Sequence, residues 1–207
     1  MPAVVSSVAA ASVTEGWLKA LAEAVGTPPV QVGGGASGGL VVAVREPAKL
    51  GSDRIANAVA AERLYGAPVI VVDLGTCTTI TVVDASRRIV GGSIAPGVGL
   101  SLRTLTERTG KLPRVRPELP AYAIGPDTEQ AILSGVVLGT AGLVRELLGR
   151  IRTELGVDAP VVAAGGYAKL IAPLVPEMQE TRADLTLQGL RLIWECCQRP
   201  GGPPRRS

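Results

Sequence analysis

The chain has 207 residues, which is long enough for one large domain or two small ones. It is 46% hydrophobic and 19% charged, as is typical of a soluble globular protein with a sizeable core. It contains no histidine, which excludes the most common general base and the most common transition-metal ligand. Any proton transfer must therefore use a carboxylate, Lys, Tyr or Cys.

Charge and cysteine usage restrict the partners and the compartment. The formal net charge is +3, and Arg199, Arg205 and Arg206 lie in a C-terminal segment without acidic residues. Residues 199–207 predict a disordered basic tail rather than a nucleic-acid site, because interleaved aromatics and a recognition helix are missing. The three cysteines, two of them adjacent, make a poor disulfide framework and favour a cytoplasmic location.

The composition offers no reason to expect a membrane association. No run of 18 or more apolar residues occurs, so no membrane span is expected. The N-terminal segment has a composition like that of a signal peptide, but it lacks a basic region and Glu15 comes early. A buried strand at residues 3–8 is the better interpretation.

The N-terminal third alternates short apolar runs with segments of helical periodicity. The glycine-rich sequence GGGASGG predicts a flexible loop at residues 33–39. The predicted elements are a strand at residues 3–8, a helix from Thr14 to its end at Gly26, a strand at residues 40–44, and an amphipathic helix at residues 53–65 with Ile55, Val59 and Leu64 among its apolar positions.

The remainder of the chain predicts an α/β architecture, because strands come first and then alternate with helices. Residues 111–123 are rich in proline and irregular. The predicted strands are residues 69–74, 78–84, 88–94 and 161–164, with a turn at residues 95–97. The predicted helices are residues 100–108, 128–155, 169–174 and 185–197.

The heptapeptide DLGTCTT, residues 73–79, is the first candidate for chemistry. An apolar strand ends in Asp73, and a tight turn through Gly75 and Thr76 leads directly into the next strand. Such a hairpin offers backbone N–H groups and hydroxyls to a phosphate, and its carboxylate can hold a cation. An ordinary β-turn with Asp and Gly in turn positions explains the heptapeptide equally well.

The second candidate is Gly51-Ser52-Asp53-Arg54, immediately before a predicted helix. A helix N-terminus concentrates N–H donors and positive potential, so it attracts anions. The alternative is that Asp53 only caps the helix and that Arg54 is a solvated charge. By itself this tetrapeptide favours the alternative.

The third candidate is Gly165-Gly166, at the end of the predicted strand 161–164. Paired glycines at that position let a flat ligand such as adenosine approach the backbone closely. A simple strand-to-helix turn is an equally good interpretation of this pair alone.

Together these segments form an ordered set of motifs. LGSDRIANAVAA, VIVVDLGTCTTITVVD, GGSIAPGVGLSL, IGPDT and VVAAGG follow one another at roughly the spacing seen in type III pantothenate kinases. The chain resembles this family from Ala3 to about Glu195. The family belongs to the acetate-kinase/Hsp70/actin-like superfamily, so the resemblance implies an α/β, ribonuclease-H-like fold. It also implies a truncated first domain at residues 1–67 and a complete second domain at residues 68–198.

The resemblance implies ATP-dependent phosphorylation of pantothenate to 4'-phosphopantothenate, the first step of coenzyme A biosynthesis. It implies ATP with Mg²⁺, a monovalent cation (K⁺ or NH₄⁺) and a homodimer, and neither nucleic acid nor membrane as a partner. By motif, Asp53 is the base for the pantothenate hydroxyl and Asp73 holds the monovalent cation. Substrate contacts are implied for Gly51, Ser52, Asp53, Arg54 and Thr128, and nucleotide contacts for Gly75, Thr76, Gly165 and Gly166.

The sequence departs from the family pattern in three places. The family's N-terminal Asp-x-Gly-Asn-Thr phosphate loop does not occur in the chain, Val44 stands where the family usually has Tyr, and Cys77 stands where it commonly has Ala. A misassigned start or a shortened chain explains the missing loop, and so does a separately encoded N-terminal piece. The remaining alternative is a catalytically impaired homologue that acts as a ligand-binding or transcription-accessory protein. The helix at residues 128–155 is expected either at the dimer interface or in the core.

Overall fold

The computed structural model describes residues 3–33 and 35–198 of the chain, so the predicted basic tail lies outside the described residues. The strands are β1 (Val4–Val5), β2 (Val30–Gln31), β3 (Val41–Val42), β4 (Val69–Leu74), β5 (Cys77–Val83), β6 (Arg88–Pro96), β7 (Val161–Ala164) and β8 (Met178–Thr181). The helices are α1 (Ala11–Val25), α2 (Ser52–Tyr65), α3 (Val98–Thr109), α4 (Thr128–Leu133), α5 (Gly139–Leu155), α6 (Ala168–Ile171) and α7 (Leu185–Gln198).

The largest sheet has six strands in the order β3-β6-β5-β4-β7-β8. Short turns join β4 to β5 and β5 to β6, so these neighbours form an antiparallel meander. On the other side of β4, β7 and then β8 are added in parallel. A ribonuclease-H-like sheet has three successive antiparallel strands, with two further strands added in parallel on the far side of the first. The strand order here matches this arrangement and confirms the predicted α/β fold class.

The chain divides into two compact units. Unit 1 contains the described residues up to Val69, residues Thr81–Gly91 and the described residues from Asp184 onward. Unit 2 contains Ile70–Ile80 and Gly92–Ala183. These two units are grouped by compactness, whereas the predicted domains, residues 1–67 and 68–198, follow the order of the strands. The predicted domain boundaries therefore stay a prediction.

In unit 1, helix α2 is buried on most of its circumference rather than on one face. Its buried residues include Ser52 and the whole run Ile55–Ala61. Helix α7 packs against it so closely that a Cβ on Gly189 would overlap the backbone carbonyl of Ala56. The predicted amphipathic pattern is therefore wrong for α2: Ile55 and Val59 are buried, but Leu64 is 45% exposed.

The short strands of unit 1 differ from the prediction in length and burial. The predicted buried strand at residues 3–8 is only Val4–Val5, which is half-buried, and Val8 is 74% exposed. β1 pairs in parallel with β2, which the sequence does not predict. The predicted strand at residues 40–44 shortens to β3, which pairs in parallel with β6. Helix α1 ends as predicted at Gly26, which has φ +73°.

In unit 2, β4 and β7 have the bounds that the sequence predicts, because both are continuous apolar runs. The predicted turn at residues 95–97 starts late, since β6 continues to Pro96. β8 is an additional edge strand that the sequence does not predict. The predicted helix at residues 169–174 is α6 followed by one 3₁₀ turn.

Residues Thr128–Leu155 form one helical stretch, in which a π-helical segment, Ser134–Leu138, joins α4 to α5. One stripe of apolar side chains is buried, at Leu133, Val137, Ala141, Val144 and Leu148. By length and composition alone the stretch could cross a membrane: an 18-residue window has a mean hydropathy of 1.6 and is 28% buried. The core helix of a soluble protein passes the same test, so the expected lack of a membrane span stays a prediction.

The contact between α2 and α7 gives a first prediction. Gly189→Ala places a methyl group against the Ala56 backbone, so we expect the free energy of unfolding to fall by about 1–3 kcal/mol. Urea denaturation followed by circular dichroism measures this change. The matched control is Gly16→Ala in α1, where a Cβ would have no atom within 4 Å. It is expected to be neutral or stabilising by up to about 1 kcal/mol, and equal losses in both variants would contradict close packing at Gly189.

Candidate functional site

Asp53 lies in the first turn of α2, and its carboxylate folds back over the helix N-terminus. Its Oδ1 atom accepts a hydrogen bond from the Arg54 backbone N–H at 2.8 Å. Gly51 precedes the helix, and a Cβ there would stand only 2.5 Å from Asp53 Oδ1. Glycine at position 51 therefore leaves the room that the carboxylate needs, which explains the Gly-x-Asp spacing physically.

Arg54 is a partly buried guanidinium in unit 1. Its Nε donates to Thr81 Oγ1 on β5 at 2.9 Å. Burial lowers the pKa of Arg54 from its usual value, and the nearby negative charge of Asp53 opposes that shift. The alternative interpretation of Arg54 as a solvated charge is therefore wrong.

Ser52 is buried, and its hydroxyl is used in structural hydrogen bonds. Its Oγ donates to the Ser7 carbonyl at 3.0 Å and lies 2.8 Å from Ser6 Oγ, which can then donate to it. Gly51 and Ser52 also line a cavity of about 1010 Å³, together with residues of β2 and β3. Of the predicted substrate-binding residues in unit 1, these two line the cavity, whereas Asp53 and Arg54 do not.

In unit 2, the structure brings Asp73 and Gly165 together. A Cβ on Gly165 would stand 2.5 Å from Asp73 Oδ1 and 2.6 Å from the Leu74 carbonyl oxygen. Gly165 has φ +90°, which other residues rarely adopt. The following turn is held to β4, because the Tyr167 N–H donates to the Leu74 carbonyl at 2.9 Å. Next to it, Gly166 is open, since a Cβ there would have no atom within 4 Å.

The hairpin turn of Gly75 and Thr76 packs against the N-terminus of α3. The Gly97 N–H donates to the Thr76 carbonyl at 3.1 Å, and a Cβ on Gly97 would overlap both carbonyls of the turn. Thr76 is exposed, so its hydroxyl is accessible beside the first turn of a twelve-residue helix. A hydroxyl and a helix N-terminus are groups that bind phosphate.

Two further side chains of the hairpin have different environments. Cys77 is exposed and free. Thr78 is 2% exposed, and its Oγ1 has no hydrogen-bond partner among the described residues. A buried hydroxyl without a protein partner costs free energy, and the sequence alone does not reveal this cost.

Thr128 is the first residue of α4 and is exposed. The preceding Asp127 caps the helix by accepting from the Gln130 N–H at 2.8 Å. Within the described part of the chain, the Thr128 hydroxyl forms no hydrogen bond. Its predicted contact with the substrate therefore remains a prediction.

The donor set for a cation in unit 2 is small. The described ranges 3–33 and 35–198 contain no group of three or more His, Cys, Asp or Glu residues that could hold a metal. The Asp73 carboxylate and the Leu74 carbonyl do lie on the same side of Gly165, and oxygen donors of this kind suit hard cations. These residues fit a weakly held cation whose remaining ligands are water or phosphate.

The structure also gives roles to residues that the sequence reasoning missed. Thr81 anchors Arg54, and Gly97 permits the close approach of α3 to the hairpin. The alternation of Cys77, Thr79 and Thr81 was a usable signal, because residues two apart on a strand share one face, which makes this face of β5 polar. The signal for Gly97 was its place between a proline and a predicted helix.

Comparisons with known proteins agree with the motif order. The family model described as "Type III pantothenate kinase" matches residues 2–150. A type III pantothenate kinase of Thermomicrobium roseum is 52% identical over 84% of this chain and 67% of its own length. One from Dehalococcoides mccartyi is 47% identical over 81% of this chain and 64% of its own. The chain thus spans about two thirds of the length of these curated relatives.

A solved structure supports the fold alone. The crystal structure of a protein from Campylobacter jejuni, described as a Baf family transcriptional activator, has a TM-score of 0.63 to this chain at 19% identity. The match covers 90% of this chain and 78% of the other.

The paired glycines give the second prediction. Gly165→Ala forces a methyl group against Asp73 and Leu74 at a backbone angle that alanine avoids, so we expect a loss of about 1–3 kcal/mol in the free energy of unfolding. Gly166→Ala, the adjacent control, is expected to change it by less than about 0.5 kcal/mol. Chemical denaturation measures both, and a harmless Gly165→Ala would contradict the close approach.

Proposed function

The chain belongs to the type III pantothenate kinase family, and we propose that it transfers the γ-phosphoryl group of ATP to pantothenate, giving 4'-phosphopantothenate for coenzyme A biosynthesis. The observation that carries the proposal is the Asp53 carboxylate, which Gly51 and the Arg54 backbone hold over the N-terminus of α2. The alternative of a catalytically impaired accessory protein gains no support from the relatives.

The proposed reaction needs little from the protein beyond positioning and charge neutralisation. The hydroxyl oxygen of pantothenate attacks the γ-phosphorus, the bond from that phosphorus to the bridging oxygen breaks, and ADP leaves. Asp53 accepts the hydroxyl proton, which a carboxylate can do without histidine. Arg54, fixed by Thr81, supplies positive charge beside Asp53, and Gly51 and Ser52 are further proposed contacts to pantothenate. Thr128 is a further proposed contact to pantothenate.

The nucleotide is proposed to bind at the β4–β5 hairpin of unit 2. Gly75 forms the tight turn, Thr76 presents its exposed hydroxyl to the phosphates, and Gly165 and Gly166 lie beside the adenosine. Asp73 holds a monovalent cation such as K⁺ or NH₄⁺, for which its carboxylate and the Leu74 carbonyl are suitable donors. When bound, Mg²⁺ neutralises charge on the phosphates, and water together with those phosphates supplies most of its ligands.

The proposal extends to the assembly and the compartment. A homodimer is supported by the helical stretch Thr128–Leu155, whose apolar window is only 28% buried within the chain. Small residues, including Gly139 and Gly142, allow a second helix to approach it closely. A cytoplasmic location is supported by the free cysteines of the described chain.

Asp53→Asn tests the assigned base. The asparagine keeps the shape of the side chain but is a much poorer proton acceptor, so we expect kcat for pantothenate phosphorylation to fall by about 10²–10⁴-fold. A coupled assay of ADP release measures kcat, and mass spectrometry of the product confirms phosphopantothenate. Asp158→Asn is the matched control, because its side chain is 82% exposed and lies in unit 2.

The outcomes separate the function from the assigned residue. A wild-type chain that releases no ADP in response to pantothenate overturns the proposed reaction for this chain. A wild-type chain that is active, together with undiminished turnover in Asp53→Asn, keeps the reaction and rejects Asp53 as the base. Far-UV circular dichroism of each variant shows that the fold is retained.

Asp73→Asn tests the cation site. Replacing Na⁺ by K⁺ is expected to raise the wild-type activity, and the variant is expected to lose this response and to raise KM for ATP by about tenfold. The measurement is initial rate against ATP concentration in each salt at constant ionic strength. An unchanged response to K⁺ in Asp73→Asn would show that the cation binds elsewhere.

A further inference from the structure

Helix α1 of unit 1 has two faces that are mostly apolar. A surface helix usually buries one apolar stripe and exposes polar residues on the opposite side. The residues of the inward face are buried or half-buried and recur at helical spacing: Thr14, Leu18, Leu21 and Val25. The residues of the outward face are exposed and recur at the same spacing: Val13, Trp17, Ala20 and Ala24. We call this outward set the α1 stripe.

The buried side of α1 fixes the rotation of the helix about its own axis. Thr14 is 6% exposed, and its hydroxyl oxygen lies 2.7 Å from Ser7 Oγ, within hydrogen-bond distance. Any rotation that buried the α1 stripe would expose Thr14 and break this bond. The outward direction of the stripe therefore follows from the packing of the opposite face.

The α1 stripe has the properties of an interaction surface. Trp17 is 64% exposed and Val13 is 49% exposed. Single exposed apolar residues are common on proteins, but a continuous row of them along one helix is informative. Tryptophan is also among the residues that are enriched at the centres of protein–protein interfaces.

The order of side-chain sizes along the α1 stripe suits a second copy of the same helix. The large side chains of Val13 and Trp17 come first, and the small ones of Ala20 and Ala24 follow. In an antiparallel pair, one register sets Trp17 of each copy against Ala20 of the other and Val13 against Ala24. Both contacts occur together because both pairs are centred between residues 18 and 19. A parallel pair would set Trp17 against Trp17.

The charges beside the α1 stripe are also self-complementary. Glu15, Lys19 and Glu23 follow one edge of the stripe and are exposed, and within the described residues no ion pair involves them. The two-fold axis of an antiparallel pair brings the same edge of both helices to one side. In the register above, each Lys19 lies between Glu15 and Glu23 of the other copy. Charges that flank a helix pair in this way determine its partner and its orientation.

We propose that the α1 stripe binds the α1 stripe of a second copy of this chain as an antiparallel helix pair. A standard interface buries about 1,200–2,000 Å². One helix of 15 residues supplies only part of that area, so we expect a Kd of about 10–100 µM. The surface uses no residue assigned to pantothenate or ATP, and none of the stretch Thr128–Leu155. It is therefore independent of the proposed reaction and of the homodimer proposed above.

Sedimentation velocity of the full chain at about 1–300 µM tests the proposal. Trp17→Ala is expected to raise the Kd of self-association by at least about tenfold. Its average mass at the highest concentration should then be clearly below that of the wild type. A homodimer formed through Thr128–Leu155 would persist in this variant, so the two surfaces can be told apart. Equal masses of wild type and Trp17→Ala at every concentration would overturn the proposal.

Leu187→Ala is the matched control for Trp17→Ala. Leu187 is a large apolar residue of α7 that is 69% exposed, and it lies in unit 1 but outside the α1 stripe. We expect this change to alter the Kd by less than about twofold. An equal loss of association in both variants would show that exposed apolar surface acts without specificity, and the helix pair would be rejected.

A charge exchange tests the antiparallel arrangement itself. Lys19→Glu gives α1 a wholly acidic edge, and Glu15→Lys/Glu23→Lys gives it a wholly basic one, so we expect each variant alone to lose self-association. An equimolar mixture of the two should regain it, because every charge then meets its opposite. A structural defect in either variant would not be repaired by mixing. Absence of recovery in the mixture, or undiminished association of either variant alone, contradicts the pairing.

A membrane surface is the competing occupant of an exposed apolar helix face. Co-sedimentation of the wild-type chain with vesicles of phosphatidylcholine and phosphatidylglycerol measures this alternative. Vesicle binding that Trp17→Ala abolishes, in a chain that does not self-associate, would assign the α1 stripe to a membrane and reject the second copy. Circular dichroism of every variant verifies that these exposed substitutions leave the fold intact.

Discussion

The candidate nucleotide site of unit 2 depends on the close backbone approach at the carboxyl end of β4. Gly165, with φ +90°, leaves no room for a side chain between β7 and the pair Asp73 and Leu74. Gly97 does the same between α3 and the hairpin turn. Because protein interiors are close-packed, adding one methyl group at either place must displace backbone rather than a flexible side chain. Two glycines thus let a strand end and a helix N-terminus converge on one hairpin.

The first turn of α2 is stabilised by a different arrangement, in which the residues on both sides of Asp53 are anchored. Ser52 is joined to Ser6 and Ser7, and Arg54 is joined to Thr81. Burying a guanidinium is costly, and the lowered pKa of Arg54 reports that cost. The charge of Asp53 offsets part of it. The carboxylate is therefore presented from a turn that has little freedom to move, as a group that must align with a reacting hydroxyl requires.

The sequence predicts those helices and strands whose pattern of apolar residues lies within the element itself. β4 and β7 are buried on both faces, so their apolar runs gave correct ends. β8 could not be predicted, because Met178–Thr181 contains only one buried residue and forms a strand through its pairing with β7. The amphipathic pattern expected for α2 failed because α7 covers a second side of it, and the cause, Gly189, lies far away in the sequence.

The same distinction applies to the candidate site. The motif order made Asp53, Asp73 and the paired glycines candidates, because each stands at the end of a recognisable strand or the start of a helix. The anchoring role of Thr81 and the spacing role of Gly97 depend on which element approaches which backbone atom, and one sequence does not contain that information. Polar residues that alternate along β5 indicated a polar face without indicating which residues it contacts.

Unit 2 offers anions two chemically different environments, and α3 connects them. At its N-terminus, the exposed Thr76 hydroxyl lies on a hairpin that the Gly97 N–H holds in place, and such a fixed geometry favours one phosphate position over others. Farther along the helix, Arg103 contributes to a cleft whose donors sit on long, mobile side chains. Such donors tolerate several ligand shapes and attract anions over a longer distance. α3 therefore combines a rigidly positioned environment at its start with mobile positive charges along its side.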